Sequence, residues 1–395
     1  MNKNILKTGV QEFIKNNYNA DIVSVLLKKQ QFNGVSQKEL VEQLEAKKKS
    51  QNKLPTWFAT EQIYYPNKLN IEQTSSEITA QYKADLVSGK SLIDITGGLG
   101  IDSYFFAKKI AQIIHCELDQ KLSKIASYNA KILDTKNIKF EAQNGIDFLK
   151  NSDTKFDWIY ADPSRRNEAK GKVFLLKDCL PNIPLELDTL FHKADNILIK
   201  TSPLLDIAQG ISELKFVKEI HVVAVKNEVK ELLWILEKSF EGELKVKTVN
   251  LQKEAKQIFD FILSEEKTTT SELGTPGNYL YEPNAAILKS GGFKTISATF
   301  GLTKFHEHSH LYSLDKLIDF PGRIFHIQET LPYNKKTMVQ FKGSKVNVTT
   351  RNFSETVATL RKKYKLKDGG DTYLFFTRDL NSNLIVIRCT KIYKV

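Results

Sequence analysis

The stretch Ser91–Ser103, SLIDITGGLGIDS, constrains the fold of this chain more than any other. The apolar pair Leu92-Ile93 runs into an acid, Asp94. A turn holding Gly97, Gly98 and Gly100 follows, and then a helix-compatible segment from Ile101 to Ile110. This is how a parallel strand hands over to a helix while leaving bare backbone against a nucleotide-like ligand. A dinucleotide-binding turn would read G-x-G-x-x-G, with the third glycine packing helix on strand. Gly98 and Gly100 fit the first pair, but Ser103 stands at the third position. The acid at Asp94 favours a ligand carrying positive charge over a pyrophosphate.

Downstream, the strand–helix alternation continues. Ile113 to Asp119 reads as a second strand ending in acid, and Glu117 lies where a carboxylate accepts ribose hydroxyls. A helix is expected from Gln120 to Leu133 and a third strand from Ile138 to Ala142. That strand ends at Asn144, whose amide offers a donor and an acceptor to an adenine edge, with Asp147 as the alternative. The fourth strand, Phe156 to Ala161, ends in Asp162-Pro163-Ser164-Arg165-Arg166. A fifth, Asn196 to Lys200, brings Ser202 to the same edge. Polar strand ends thus collect on the edge where open α/β sheets bind ligands. S-adenosylmethionine (SAM), with its ammonium and sulfonium, suits the acid in the turn.

On these residues, Ile71 to Ile199 resembles a class I SAM-dependent methyltransferase, closest to RNA-directed enzymes with a D-P-P-Y/W motif such as the cap guanine-N2 methyltransferases. Gln73-Thr74-Ser75-Ser76-Glu77 resembles the Thr-Pro-Glu element of those enzymes. Tyr281-Glu282-Pro283-Asn284 and Asp319-Phe320-Pro321-Gly322-Arg323, followed by a basic C-terminal region, resemble a bacterial family of methyltransferases with a THUMP-like domain. The resemblance leaves out only about the first 70 residues. It implies an α/β, Rossmann-like catalytic domain (71–266) behind an N-terminal helical region (1–70). A small ferredoxin-like segment (279–322) and a THUMP-like α+β domain (323–395) follow. The expected cofactor set is Asp94, Thr96, Gly98, Gly100, Glu117 and Asn144. Asp162 and Pro163 form the expected catalytic edge, and Glu77, Arg165, Arg166 and Ser202 the expected substrate contacts.

One departure matters. Enzymes that methylate exocyclic amines carry proline and an aromatic after the first D/N-P, and the ring stacks on the base. Here Ser164-Arg165 stand there instead. Asp162 still offers an acceptor, but the stacking platform is missing. Either an arginine plane stacks on the base, or Arg165 and Arg166 hold a phosphate.

Composition bounds the rest. A chain of 395 residues calls for two or three domains. The 58 Lys+Arg against 46 Asp+Glu leave a net charge of +12, which favours a polyanion such as RNA. Cys116, Cys179 and Cys389 are far apart without metal-ligand spacing, as in a reducing cytoplasm. No charged-then-apolar leader opens the chain, and no apolar run approaches the roughly 20 residues of a membrane span.

Along the chain, Ser36 with Glu39 reads as a capping box opening a helix, and Thr74 with Glu77 as a second, through Leu86. Glu219 to Val225 and Gln257 to Leu263 read as the remaining strands of the catalytic domain, with a helix from Val229 to Ser239 between them. Lys267 to Gly277 has linker chemistry. Beyond it, strands are expected over Arg323–Gln328, Thr337–Phe341, Lys345–Thr350, Tyr373–Thr377 and Leu384–Cys389, with a basic helix over Ser354–Lys365. His306, His308 and His310 would share one face of a strand, or lie in a loop; with no second ligand cluster, no metal site is expected.

The sequence therefore points to a cytoplasmic SAM-dependent methyltransferase acting on RNA. No cysteine stands where a carbon-5 nucleophile would, which favours a base nitrogen. Two other classes stay open: methylation of a small molecule or protein, and a non-catalytic RNA-binding protein with a degenerate cofactor fold.

Overall fold

The computed structural model describes residues 1–165, 175–253 and 255–393. The chain divides into two compact units, residues 1–217 with 233–241 and residues 218–232 with 242–395.

The first unit opens with helices. Gln37–Lys53 begins with the expected capping box, Ser36 and Glu39 satisfying each other's backbone N–H. The second expected box is corrected. Ser76, not Thr74, caps the helix Glu77–Ala84 by accepting from Thr79 N. Glu77 turns instead to Thr56, accepting from its N and Oγ1 at 2.6 and 2.7 Å.

Five parallel strands follow: β1 (Ser91–Asp94), β2 (Gln112–Cys116), β3 (Ile138–Glu141), β4 (Phe156–Ala161) and β5 (Ala194–Thr201). Their order is β5-β4-β1-β2-β3, each pair parallel. The chain reverses direction across the sheet between β1 and β4. Ligand crevices open at such switch points, outside the carboxyl ends of the strands. Apolar runs such as Trp158 to Ala161 are buried because helices cover both faces of a parallel sheet.

Three expectations fail here. Val229–Ser239 is no helix but a strand, β7 (Glu228–Glu237), which follows β6 (Val217–Val225). Leu232 to Leu236 are buried consecutively, which a strand covered on both faces satisfies and an amphipathic helix does not. Lys226 and Asn227, both at positive φ (49° and 64°), make the tight hairpin turn between the two. The strand β8 (Lys245–Leu251) was not anticipated; it runs parallel to β6 and antiparallel to β9 (Lys256–Ile262). Thr337–Phe341 is also not a strand. Asn334 caps a helix there, Lys335–Val339, which buries Met338.

The rest of the second unit is one seven-stranded sheet. Its strands are β10 (Tyr279–Pro283), β11 (Thr303–Lys304), β12 (Tyr312–Leu314), β13 (Gly322–Pro332), β14 (Asn347–Thr350), β15 (Thr372–Arg378) and β16 (Leu384–Ile392), in the order β11-β12-β10-β13-β16-β15-β14. Alternation along β15 feeds two cores. Phe375 joins Leu280, Phe305 and Phe325 on one face, and Leu374 and Phe376 join Met338 and Leu360 on the other. The basic helix, Val357–Tyr364, is capped by Thr356. His306, His308 and His310 lie in the turn between β11 and β12 rather than on a strand, and His310 stacks on Phe293 at 3.6 Å between ring centroids. Among the described residues no helix is long and apolar enough to cross a membrane.

Candidate active site

A cavity of ≈ 510 Å³ opens at the carboxyl ends of β1, β2 and β4 in the first unit. This is the middle of the range, about 300–1,000 Å³, that small-ligand pockets occupy. Asp94, Thr96, Gly98, Glu117, Asn144 and Asp162 all line it.

The glycine turn shows why small residues are needed. A Cβ at Gly97 would lie 2.2 Å from Nε2 of His115, so that position closes onto the sheet. At Gly98 (φ +58°) a Cβ would meet only Thr96 O, at 3.9 Å, so bare backbone faces the cavity. Gly100 (φ 81°) sits at the N-cap of the helix Ile101–Phe106 and does not line the cavity.

Asp94 ends β1 and is 1% exposed. It accepts from Thr96 N at 3.0 Å and from Ser103 Oγ at 2.7 Å. Burial pushes its pKa up to about 7, against these two hydrogen bonds; the nearby carboxylates of Asp102 and Asp162 add to the rise. The Ser103 that breaks the dinucleotide pattern is therefore the residue that ties the helix to this acid. Glu117 follows β2. Its two oxygens accept from Gly98 N and Asp119 N, each at 2.7 Å, which sets the carboxylate against the glycine turn. Asn144 caps the helix Gly145–Asn151, its Oδ1 accepting from Ile146 N and Asp147 N. Gly145 beside it is obligatory, since a Cβ there would lie 2.5 Å from Ile95 O.

Asp162, just past β4, donates its backbone N–H to Thr96 Oγ1 at 2.7 Å. Its carboxylate receives Lys200 Nζ from the end of β5 at 2.9 and 2.8 Å. Lys200 escaped the sequence reading, although it falls at the productive end of the fifth strand. A second missed group lies alongside. Lys83 Nζ, fully buried, sits 3.0 Å from Asp102 and donates to Ser75 Oγ at 2.7 Å. Asp102 in turn accepts from Ser75 Oγ and Tyr160 OH, each at 2.8 Å. The signal was a lysine on the face of its helix that Thr79, Ala80 and Ala84 bury.

Other expected residues stand apart. Pro163 is buried and does not line the cavity, nor does Glu77. Ser202 is also off the cavity, its Oγ accepting from Leu204 N. Arg165 belongs to a two-residue strand paired with Cys179–Leu180, and Arg166 lies outside the described residues.

Residues 279–321 match a ferredoxin-like domain family, and residues 322–391 a THUMP domain-like family. A solved structure from Porphyromonas gingivalis W83, described as a "putative methyltransferase", is 30% identical. It covers 99% of both chains with a TM-score of 0.89. This chain belongs to that methyltransferase family. Two curated relatives described as uncharacterized RNA methyltransferases are also similar. One, from Thermotoga maritima, is 32% identical over 97 residues, 24% of this chain and 22% of its own length. The other, from Mycoplasma mobile, is 30% identical over 92 residues, 23% of this chain and 25% of its own length. The chain thus spans about a quarter of the length of these curated relatives.

Proposed function

We propose that this chain transfers a methyl group from SAM to RNA, with a base nitrogen as acceptor. The observation that carries the reading is the convergence of Asp94, Gly98, Glu117 and Asp162 on one cavity at the switch point of the sheet. The donor set fits SAM. Glu117 supplies a carboxylate for ribose hydroxyls beside a glycine with open space over it. Asp94 supplies an acid for a cationic ligand, and the Asn144 Nδ2 supplies a donor, since its oxygen is engaged in capping.

When bound, SAM supplies an electrophilic methyl on sulfur. The protein's part is then placement more than proton chemistry, because in-line displacement depends on proximity and orientation. Asp162 orients the acceptor and takes up its proton late, while Lys200 holds that carboxylate in place. The exposed Ser164 offers no ring to stack on a base, so this reading leaves base placement to other groups. The RNA reading rests on the net charge of +12 and on what the curated relatives are called. The buried free thiols of Cys116, Cys179 and Cys389 suit a reducing compartment, and we place the protein in the cytoplasm on that ground.

Calorimetric titration with S-adenosylhomocysteine tests the cofactor. One-to-one binding is expected in the wild type, weakened at least about tenfold in Glu117→Ala, a loss of about 1.4 kcal/mol. No binding in the wild type would sink the proposal. Radiolabel transfer from SAM into RNA, protein and small-molecule fractions then tests the acceptor, with label expected in RNA.

A further inference from the structure

The sequence motifs Tyr281–Asn284 and Asp319–Arg323 lie far from the SAM cavity in sequence, and methyl transfer as described does not use them. The structure gives them a common purpose. They pair side by side across β10 and β13, Glu282 opposite Arg323 and Pro283 opposite Gly322, and Asn284 N donates to Pro321 O. The approach is so close that a Cβ on Gly322 would lie 2.1 Å from Glu282 O. Glu282, buried, receives both Arg323, whose Nε donates at 2.6 Å, and Arg351 at 2.8 Å. Two guanidinium groups thus share one carboxylate, and of these three residues only Arg323 belongs to a wall that also includes Gly322 and Asn284.

That wall encloses a second cavity, of ≈ 290 Å³, wholly within the second unit. Lys226, Arg323 and Lys391 line it, and no carboxylate does. Among the described residues no acid pairs with Lys226 or Lys391. The floor is a relay of amides, in which Asn250 and Asn284 are buried and Gln257 is half-buried. Asn250 and Asn284 donate to Gln257 Oε1, and Gln257 Nε2 reaches Gly322 O. Asn227 N and Ala285 N are drawn into the same relay through Asn250 and Asn227. Because these amides hold one another, the cavity is preformed. The Gln252 side chain and the Asn227 Nδ2 also line it without a described partner, and the exposed Tyr393 ring carries Lys391 Nζ at 4.7 Å from its centroid.

We propose that this cavity binds one phosphorylated nucleotide unit. The cations take the phosphate, the free amide groups read the base edge, and Tyr393 supplies a stacking face. The volume admits one such unit. Its natural source is a nucleotide of single-stranded RNA, an assignment that rests on the proposed function; a free mononucleotide shares the same chemistry.

The test uses the full chain, with Lys226→Gln/Lys391→Gln as the variant. Both side chains are on the surface side of the cavity and outside the amide relay, so folding should persist, as S-adenosylhomocysteine binding and a thermal melt would show. The probes are a fluorescent ten-nucleotide single-stranded RNA and, separately, the four nucleoside 5′-monophosphates. For RNA, the expected result is at least about tenfold weaker binding in the variant and a shallower salt dependence, by about 1.4 in the slope of log K against log salt for two lost contacts. If RNA binds wild type and variant equally, the cavity proposal is overturned while the RNA reading stands. If only mononucleotides bind, and the variant loses them, the cavity is supported and the RNA reading falls. If neither probe binds the wild type, the cavity proposal is overturned.

Discussion

Asp94 is the residue where burial and chemistry pull hardest against each other. Folded, it keeps its proton up to about pH 7, because a charge there would be desolvated. Unfolded, it ionises near the usual pKa of about 3.9. Between those values the folded state binds the extra proton, so this group makes stability fall as pH rises from about 4 to 7 and contributes a flat penalty above. Asp94→Asn removes that slope. Urea midpoints at pH 4.5, 6 and 8 should show the variant gaining on the wild type through the window; a constant gap would contradict the assignment. Asp162 calls for a different comparison. Asp162→Asn and Lys200→Met are expected to leave S-adenosylhomocysteine affinity within about threefold while lowering turnover. The loss should be about 100-fold for Asp162→Asn, the lower bound for a positioned proton acceptor, and smaller for Lys200→Met. Equal loss of cofactor affinity would make the pair structural.

At the scale of elements, the glycine turn separates two reasons for glycine. Gly97 lacks space and Gly98 needs a left-handed backbone. Gly98→Ala should therefore cost about 1–2 kcal/mol, the strain of that conformation. Gly97→Ala should cost more, since it drives a methyl into His115 and shifts the loop. Thermal unfolding of the two variants settles the order. The same turn explains what was legible in the sequence. Strands β1 to β5 were readable because each ends in, or leads straight into, a polar residue at its carboxyl end. Strand β7 was misread because Leu232-Leu233-Trp234-Ile235-Leu236 carries no period when both faces are buried, and its turn, Lys226-Asn227, lacks the glycine that usually marks such hairpins. In the candidate site, Asp94, Glu117 and Asp162 were expected from their places at strand ends, and all three line the cavity. Lys200 and Lys83 were not, because each acts through a partner 38 or 19 positions away, Asp162 and Asp102, and only the folded sheet brings them together.

For the whole molecule, each compact unit carries its own cavity. Hydrogen exchange should reflect this. S-adenosylhomocysteine is expected to slow exchange around Asp94–Gly100, Glu117–Asp119 and Asn144–Ile146, all in the first unit. A bound nucleotide should slow it around Lys226–Asn227, Gln252–Gln257 and Lys391–Tyr393, all in the second. Either ligand protecting the other's segments would show that the two cavities are coupled.

The seam between the two C-terminal families falls between Pro321 and Gly322, at the first residue of β13. Yet β13 is hydrogen-bonded on one side to β10 and on the other to β16, so both families share a single sheet. Residues 322–391 cut free would expose the Gly322–His326 part of β13, now paired with β10, as a raw border inviting intermolecular zippering. The ferredoxin-like piece is, in this sense, a built-in hem that keeps the THUMP-like sheet from fraying into aggregates. Swapping either piece alone into another protein should yield inclusion bodies rather than a transplantable domain.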